Sequence, residues 1–73
     1  MAQSRGETWR IEIAGWGGLE RPQLQQTLRL VGDHAGEWWG RGHFEFATSK
    51  RAYECATRLR GLGLNPRVIF RIR

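Results

Sequence analysis

The sequence has little of several features on which small proteins often depend. It has one cysteine in 73 residues, Cys55, which excludes an internal disulfide framework and favours a reducing compartment. No apolar run is longer than three residues, so no segment has the pattern of a membrane span or of a signal peptide. We therefore expect a cytoplasmic protein that does not contact a membrane.

Side chains that perform chemistry are also scarce. His34 and His43 are the only histidines, Asp33 is the only aspartate, and no Cys or His pair has the close spacing of a zinc site. Cys55 falls on the apolar side of a predicted helix, where a thiol packs as a small apolar group. The sequence therefore predicts a protein that is not an enzyme and that holds no metal or cofactor.

Arginine is what the sequence has in excess. Lys and Arg together number 12 against seven acidic residues, the net charge is +5, and 40% of the residues are hydrophobic. This apolar content argues against general disorder, and a chain of this length can bury one core only. We expect a disordered N-terminus over residues 1–6 and a single small α+β domain over residues 7–73.

Alternation of apolar and polar residues predicts four strands. Residues 8–14 alternate with Trp9, Ile11 and Ile13 on one face. Residues 67–73 alternate in the same way, with arginines on the opposite face. The shorter segments 37–39 and 43–46 flank a glycine-containing turn and predict a hairpin.

Apolar residues at helical spacing predict two helices between these strands. The first has a stripe of Leu24, Leu28 and Val31. The second begins at a cap formed by Thr48 or Ser49. Its apolar side consists of Ala52, Cys55, Ala56 and Leu59.

Both predicted helices have a glycine near their end. Gly32 is expected to be the left-handed residue that ends the first helix, and Gly61 is expected to end the second, with Leu62 folding back onto it. The predicted order is thus β-α-β-β-α-β. Two right-handed crossovers and one hairpin give the ferredoxin-like split βαβ fold, a four-stranded antiparallel sheet with both helices on one face.

The hairpin contains two adjacent tryptophans, Trp38 and Trp39. Because successive strand residues point to opposite faces, we expect one indole in the core and the other on the open face of the sheet. A three-residue loop, Gly40–Gly42, would pair Trp39 with His43 on the open face. A two-residue turn formed by Gly40 and Arg41 would exchange the two indoles.

An exposed indole among arginines suits stacking on an unpaired base combined with neutralisation of phosphates. We therefore expect a small, non-enzymatic, basic module that binds single-stranded nucleic acid or RNA through the open face of the sheet. The candidate binding residues are Arg10, Trp38, Trp39, Arg41, His43, Arg67, Arg71 and Arg73.

Residues 41–46, at the start of the third predicted strand, resemble the ribonucleoprotein signature of RNA-recognition motifs. Arg41, Gly42 and the ring of His43 match the start of that signature. Glu45 stands where the family has a stacking aromatic, and Phe44 replaces a small residue. The resemblance implies a shared fold geometry.

The same residues support an alternative hypothesis, a protein-interaction module or inhibitor. Trp and Arg are the residues most enriched at interface hot spots. The edge strands at 37–39 and 67–73 could pair with the sheet of an acidic partner or with a second copy, giving a homodimer. The chain also has the size of regulators that phages and mobile elements encode. The open face could equally carry cross-strand ion pairs in solvent.

Overall fold

A computed structural model describes residues 7–72. The elements in chain order are β1 (Glu7–Ile13), α1 (Arg21–Asp33), β2 (Glu37–Gly40), β3 (His43–Phe46), α2 (Ser49–Gly61) and β4 (Pro66–Ile72), with a short 3-10 turn at Trp16–Gly18 between β1 and α1. The predicted order of strands and helices is confirmed. The expected disorder of residues 1–6 lies outside the described residues.

The four strands form one antiparallel sheet in the order β2-β3-β1-β4. Each helix connects two strands that have one other strand between them, as in two interleaved split βαβ units. The predicted ferredoxin-like α+β fold is therefore confirmed. This topology places β2 and β4 at the two edges of the sheet.

The register of the central strand β1 places its apolar residues beside those of its neighbours. Ile11 pairs with Phe44 of β3 and with Val68 of β4. The buried core lies between this face of the sheet and the helices. Its residues are Ile11, Ile13, Val31, Phe44, Phe46, Ala52, Cys55, Ala56, Leu59 and Leu64.

The two helices differ in how well the sequence predicted their buried sides. All four residues predicted on the apolar side of α2 are buried, and its first turn is capped by Thr48, whose hydroxyl accepts from the N–H of Arg51 at 3.3 Å. Helix α1 instead buries Thr27 and Val31, while Leu28 is exposed. The hydroxyl of Thr27 donates to a carbonyl in its own helix at 2.7 Å, so its burial leaves no donor unsatisfied.

Both helices end with a Schellman motif, in which the residue after a left-handed residue donates back across the last turn. The left-handed residues are Gly63 after α2, with φ 87°, and Ala35 after α1, with φ 58°. Helix α2 ends at Gly61, as predicted, and its left-handed residue follows two positions later. The prediction that Gly32 is the left-handed residue after α1 was wrong, because α1 continues to Asp33 and Ala35 takes that conformation. Both glycines remain helical because the left-handed turn comes later in the chain.

Candidate interaction surfaces

The centre of the open sheet face holds an ion pair. Arg10 of β1 and Glu45 of β3 are register partners, and Arg10 Nη2 lies 2.8 Å from Glu45 Oε2. The side chains are only 18% and 6% exposed, so this pair is largely removed from water. Arg10 is thus engaged by a carboxylate at the position where a phosphate contact was predicted.

One end of the open face carries charges of both signs. His43 Nε2 lies 3.9 Å from Glu12 Oε2, an ion-pair distance that is too long for a hydrogen bond. Arg67 is the register partner of Glu12 on the other side. Together with Asn65 these residues line an open depression of about 450 Å³. His43 and Arg67, two predicted binding residues, therefore both lie beside an acidic side chain.

The hairpin turn differs from both predicted forms. Gly40 pairs with His43, so the turn consists of Arg41 and Gly42, and Trp39 is the additional residue of a β-bulge. The predicted pairing of Trp38 with Phe44 is confirmed.

Gly42 explains the position of this turn. It has φ 69°, a left-handed conformation that favours glycine. It is buried against Trp16, and a Cβ at this position would lie 2.8 Å from the Cβ of Trp16 and 3.0 Å from the carbonyl oxygen of Ile13. The N–H of Ile13 donates to the Gly42 carbonyl at 2.9 Å. The tip of the hairpin is therefore fixed against β1 and the loop that follows it.

Both indoles of the hairpin are largely exposed, Trp38 at 58% and Trp39 at 51%. The prediction that one of them joins the core was wrong. Trp38 does lie on the helix-covered face, as its pairing with Phe44 requires. However, β2 is an edge strand whose four residues are all exposed, so α1 does not cover the indole.

The Trp38 indole is supported from one side by other rings. Its centroid lies 6.5 Å from that of Phe44, with the rings 26° apart, and 6.2 Å from that of Trp16. Trp16 in turn makes an edge-on contact with Phe44 at 5.5 Å. The indole Nε1 donates to the Gly40 carbonyl. Trp38 is thus held in place by the core and open to solvent on its other side.

Trp16 and Phe70 contribute to the surface in ways that periodicity did not predict. Trp16 lies in the Gly-Trp-Gly-Gly segment after β1, and only the fold shows that its ring supports Trp38. The alternation of residues 67–73 predicts Phe70 on the apolar, core-facing side, but its ring is exposed because β4 is an edge strand. Its ring contacts Trp9, with centroids 4.6 Å apart.

Most of the other predicted binding residues do not converge on the indoles. Arg41 is exposed in the hairpin turn, whereas Arg67 is exposed on the opposite edge strand. Arg71 lies in β4 opposite Thr8, and Arg73 lies outside the described residues. Strands lie about 4.8 Å apart, so the two edges of this four-stranded sheet are separated by about 14 Å.

Cys55 is fully buried, and this burial raises the pKa of its thiol to about 11. The thiol is therefore protonated and unreactive at neutral pH. Among residues 7–72, no cluster of three His, Cys, Asp or Glu side chains could hold a metal ion. Neither α1 nor α2 has the length and apolar character needed to span a membrane.

Comparison with family models, curated proteins and solved structures finds no match to this chain. Two exposed edges of the sheet are therefore considered by their geometry and charge alone. We call Trp38, Trp39 and Arg41 the indole edge, and Pro66–Ile72 the basic edge.

Proposed function

We propose that this protein is a small protein-interaction module that docks on a larger protein through the indole edge. The observation that carries this proposal is that Trp38 and Trp39, neighbours on an edge strand, are both more than half exposed. Large exposed aromatics mark interaction sites, and Trp and Arg are the side chains most enriched at hot spots. Trp38 is also held by Trp16 and Phe44, so little side-chain freedom is lost on binding.

The local charge favours a protein over a nucleic acid as the partner. Glu37 and Arg41 are the only charged residues from 37 to 42, and their charges cancel. Stacking of bases needs cations close to the ring to neutralise phosphates. The strand that carries Arg67 and Arg71 lies about 14 Å from β2, across two strands.

The centre of the sheet supports the same choice. In four-stranded RNA-binding sheets the central strands present the rings on which bases stack. Here the central position is occupied by the Arg10–Glu45 ion pair. The Arg10 guanidinium is already paired with a carboxylate, so it is less available to an approaching phosphate. Binding of single-stranded nucleic acid through the open face stays a prediction, and the experiment below includes it.

The bulge in β2 defines how the indole edge would bind. A bulge interrupts the regular row of backbone donors and acceptors that an added strand needs. We therefore expect the indoles to insert into an apolar pocket of the partner, rather than β2 to extend the partner's sheet.

The test compares capture of partners by Trp38→Ala, Trp39→Ala and the parent protein from cells that express the gene. Tyr53→Ala is the matched control, because Tyr53 is an aromatic residue that is 51% exposed on helix α2. We expect one specific protein to be retained by the parent and by Tyr53→Ala. With that protein purified, each indole variant should bind about 30-fold more weakly, as expected for a hot spot of 2 kcal/mol.

Two results would contradict the proposal. One is equal binding of the purified partner by the parent and both indole variants, with circular dichroism showing that all are folded. The other is tight, salt-sensitive binding of a 20-nucleotide poly-dT or poly-U strand that the indole variants lose. That second result would assign the indole edge to single-stranded nucleic acid.

A further inference from the structure

The basic edge has an unbroken backbone. Its register with β1 runs without interruption from Glu7 opposite Ile72 to Ile13 opposite Pro66. No other strand among residues 7–72 pairs with its outer side. Alternate backbone N–H and C=O groups of β4 therefore face outward, in the arrangement to which an extended segment can add.

The charge along this edge has one sign. Strand β4 contains Arg67 and Arg71 and no acidic residue. Glu12 lies opposite Arg67 but is also 3.9 Å from His43. Helix α2, which packs on β4, adds exposed Lys50, Arg51, Arg58 and Arg60 against a single Glu54.

A second copy of the chain is a poor occupant of this edge. Antiparallel pairing of two β4 strands centred on Ile69 would place Arg67 of each copy opposite Arg71 of the other. Directly opposed like charges destabilise a sheet. The charge thus disfavours self-pairing while leaving the edge open to a strand of opposite charge.

We propose that the basic edge binds an extended acidic segment of another protein as a fifth strand of the sheet. In that segment every second residue is acidic, and these acidic side chains lie on the face of the sheet that carries Arg67. Its intervening residues are apolar and contact the exposed ring of Phe70 and the half-buried Val68. The site is separate from the indole edge, so this proposal does not depend on the proposed function.

The test uses a fluorescein-labelled seven-residue peptide in which Glu alternates with Val, measured by fluorescence anisotropy. Arg67→Glu should weaken binding at least tenfold. Arg29→Glu makes the same change in net charge on exposed α1 and should change binding less than twofold. A peptide with Lys in place of Glu should not bind. Trp38→Ala should bind the Glu peptide as the parent does, which separates this site from the indole edge.

Amide NMR spectra locate the bound peptide. We expect the largest shifts, and slower hydrogen exchange, at the backbone of residues 67–72. Four results would overturn the proposal: no binding of the Glu peptide, equal weakening by Arg67→Glu and Arg29→Glu, shifts confined to α2 or β2, or tighter binding of poly-dT at the same amides. The last of these would make the edge a site for nucleic acid.

Discussion

Strand β2 with helix α1, and strand β4 with helix α2, form two sides of this molecule that share a topology and differ in packing. Both helices have 13 residues and end with the same motif. Helix α2 buries four residues completely, whereas α1 buries one threonine and one valine. The edge strand beside α1 is short and bulged, and the edge strand beside α2 is long and regular.

This difference shows that an edge strand can be blocked in two ways. On the β2 side a bulge interrupts the row of backbone donors and acceptors, and the side chains of Trp38 and Trp39 are exposed beside it. On the β4 side the backbone is intact, and repeated arginines oppose pairing with a second copy. Under our two proposals, the first edge selects a partner by shape and the second selects one by charge.

The largest expected effect comes from breaking the ion pair that lies between the two sides. Arg10→Ala removes the guanidinium 2.8 Å from a carboxylate that is only 6% exposed. We expect the free energy of unfolding to fall by about 3 kcal/mol, because an uncompensated buried charge is costly. Urea unfolding measures this change, and hydrogen exchange should rise in both β2 and β4. Arg67→Ala, at an exposed position, should cost less than about 0.5 kcal/mol; equal losses would contradict the prediction.

The next largest expected effect is a loss of stability at high pH that comes from Cys55 on the buried side of α2. Burial raises the pKa of the Cys55 thiol from its ordinary 9.0 to about 11. The folded state therefore holds this proton more tightly than the unfolded chain does. Stability is unaffected below pH 9 and falls as pH rises towards 11, by about 2–3 kcal/mol at most.

Urea unfolding between pH 8 and 11 measures this loss. Cys55→Ala removes the titrating group, so its stability should fall less steeply over the same range. The other groups that titrate at high pH are common to both proteins and cancel in the comparison. Parallel curves for the two proteins would show that the thiol does not contribute.

The smallest expected effect comes from changing the left-handed residues that follow the two helices. Ala35 holds a left-handed conformation after α1, where Gly63 serves after α2. Ala35→Gly should increase the free energy of unfolding by about 0.5–1 kcal/mol, because the left-handed region costs an L-residue about 1–2 kcal/mol and glycine gains freedom when unfolded. Gly63→Ala should decrease it by about 1 kcal/mol. Thermal unfolding of both variants measures the difference, and changes of the same sign would contradict the prediction.

The fold was predictable because local signals agreed with one another. Alternation in β1, the apolar side of α2 and the glycine-containing hairpin all favour the same topology. Helix α1 was predicted less well, since Leu28 has the hydrophobicity of a core residue but Thr27 is the residue that is buried. The side buried by a helix depends on what packs against it. Hydrophobic periodicity did not identify Thr27, which is polar and satisfies its hydroxyl by a hydrogen bond within its own helix.

The candidate site was predicted only in part. Sequence identified Trp38, Trp39 and Arg41, but alternation alone placed one indole in the core. A strand's position at the edge of the sheet depends on all the connections, so exposure of both rings could not be read from their own segment. The pairing of Arg10 with Glu45 likewise depends on a register between strands that are 35 residues apart in the chain.

Because Gly42 has no side chain, the ring of Trp16 can pack against the hairpin turn and support Trp38. Any larger residue would push against Trp16, the ring on which Trp38 rests. Under the proposed function, a screen for variants that lose the partner should recover position 42 together with the indoles, although this buried residue lies beneath the binding surface. Contact maps of the complex and maps of mutational sensitivity would then disagree at this residue, for a reason that lies entirely in the unbound protein.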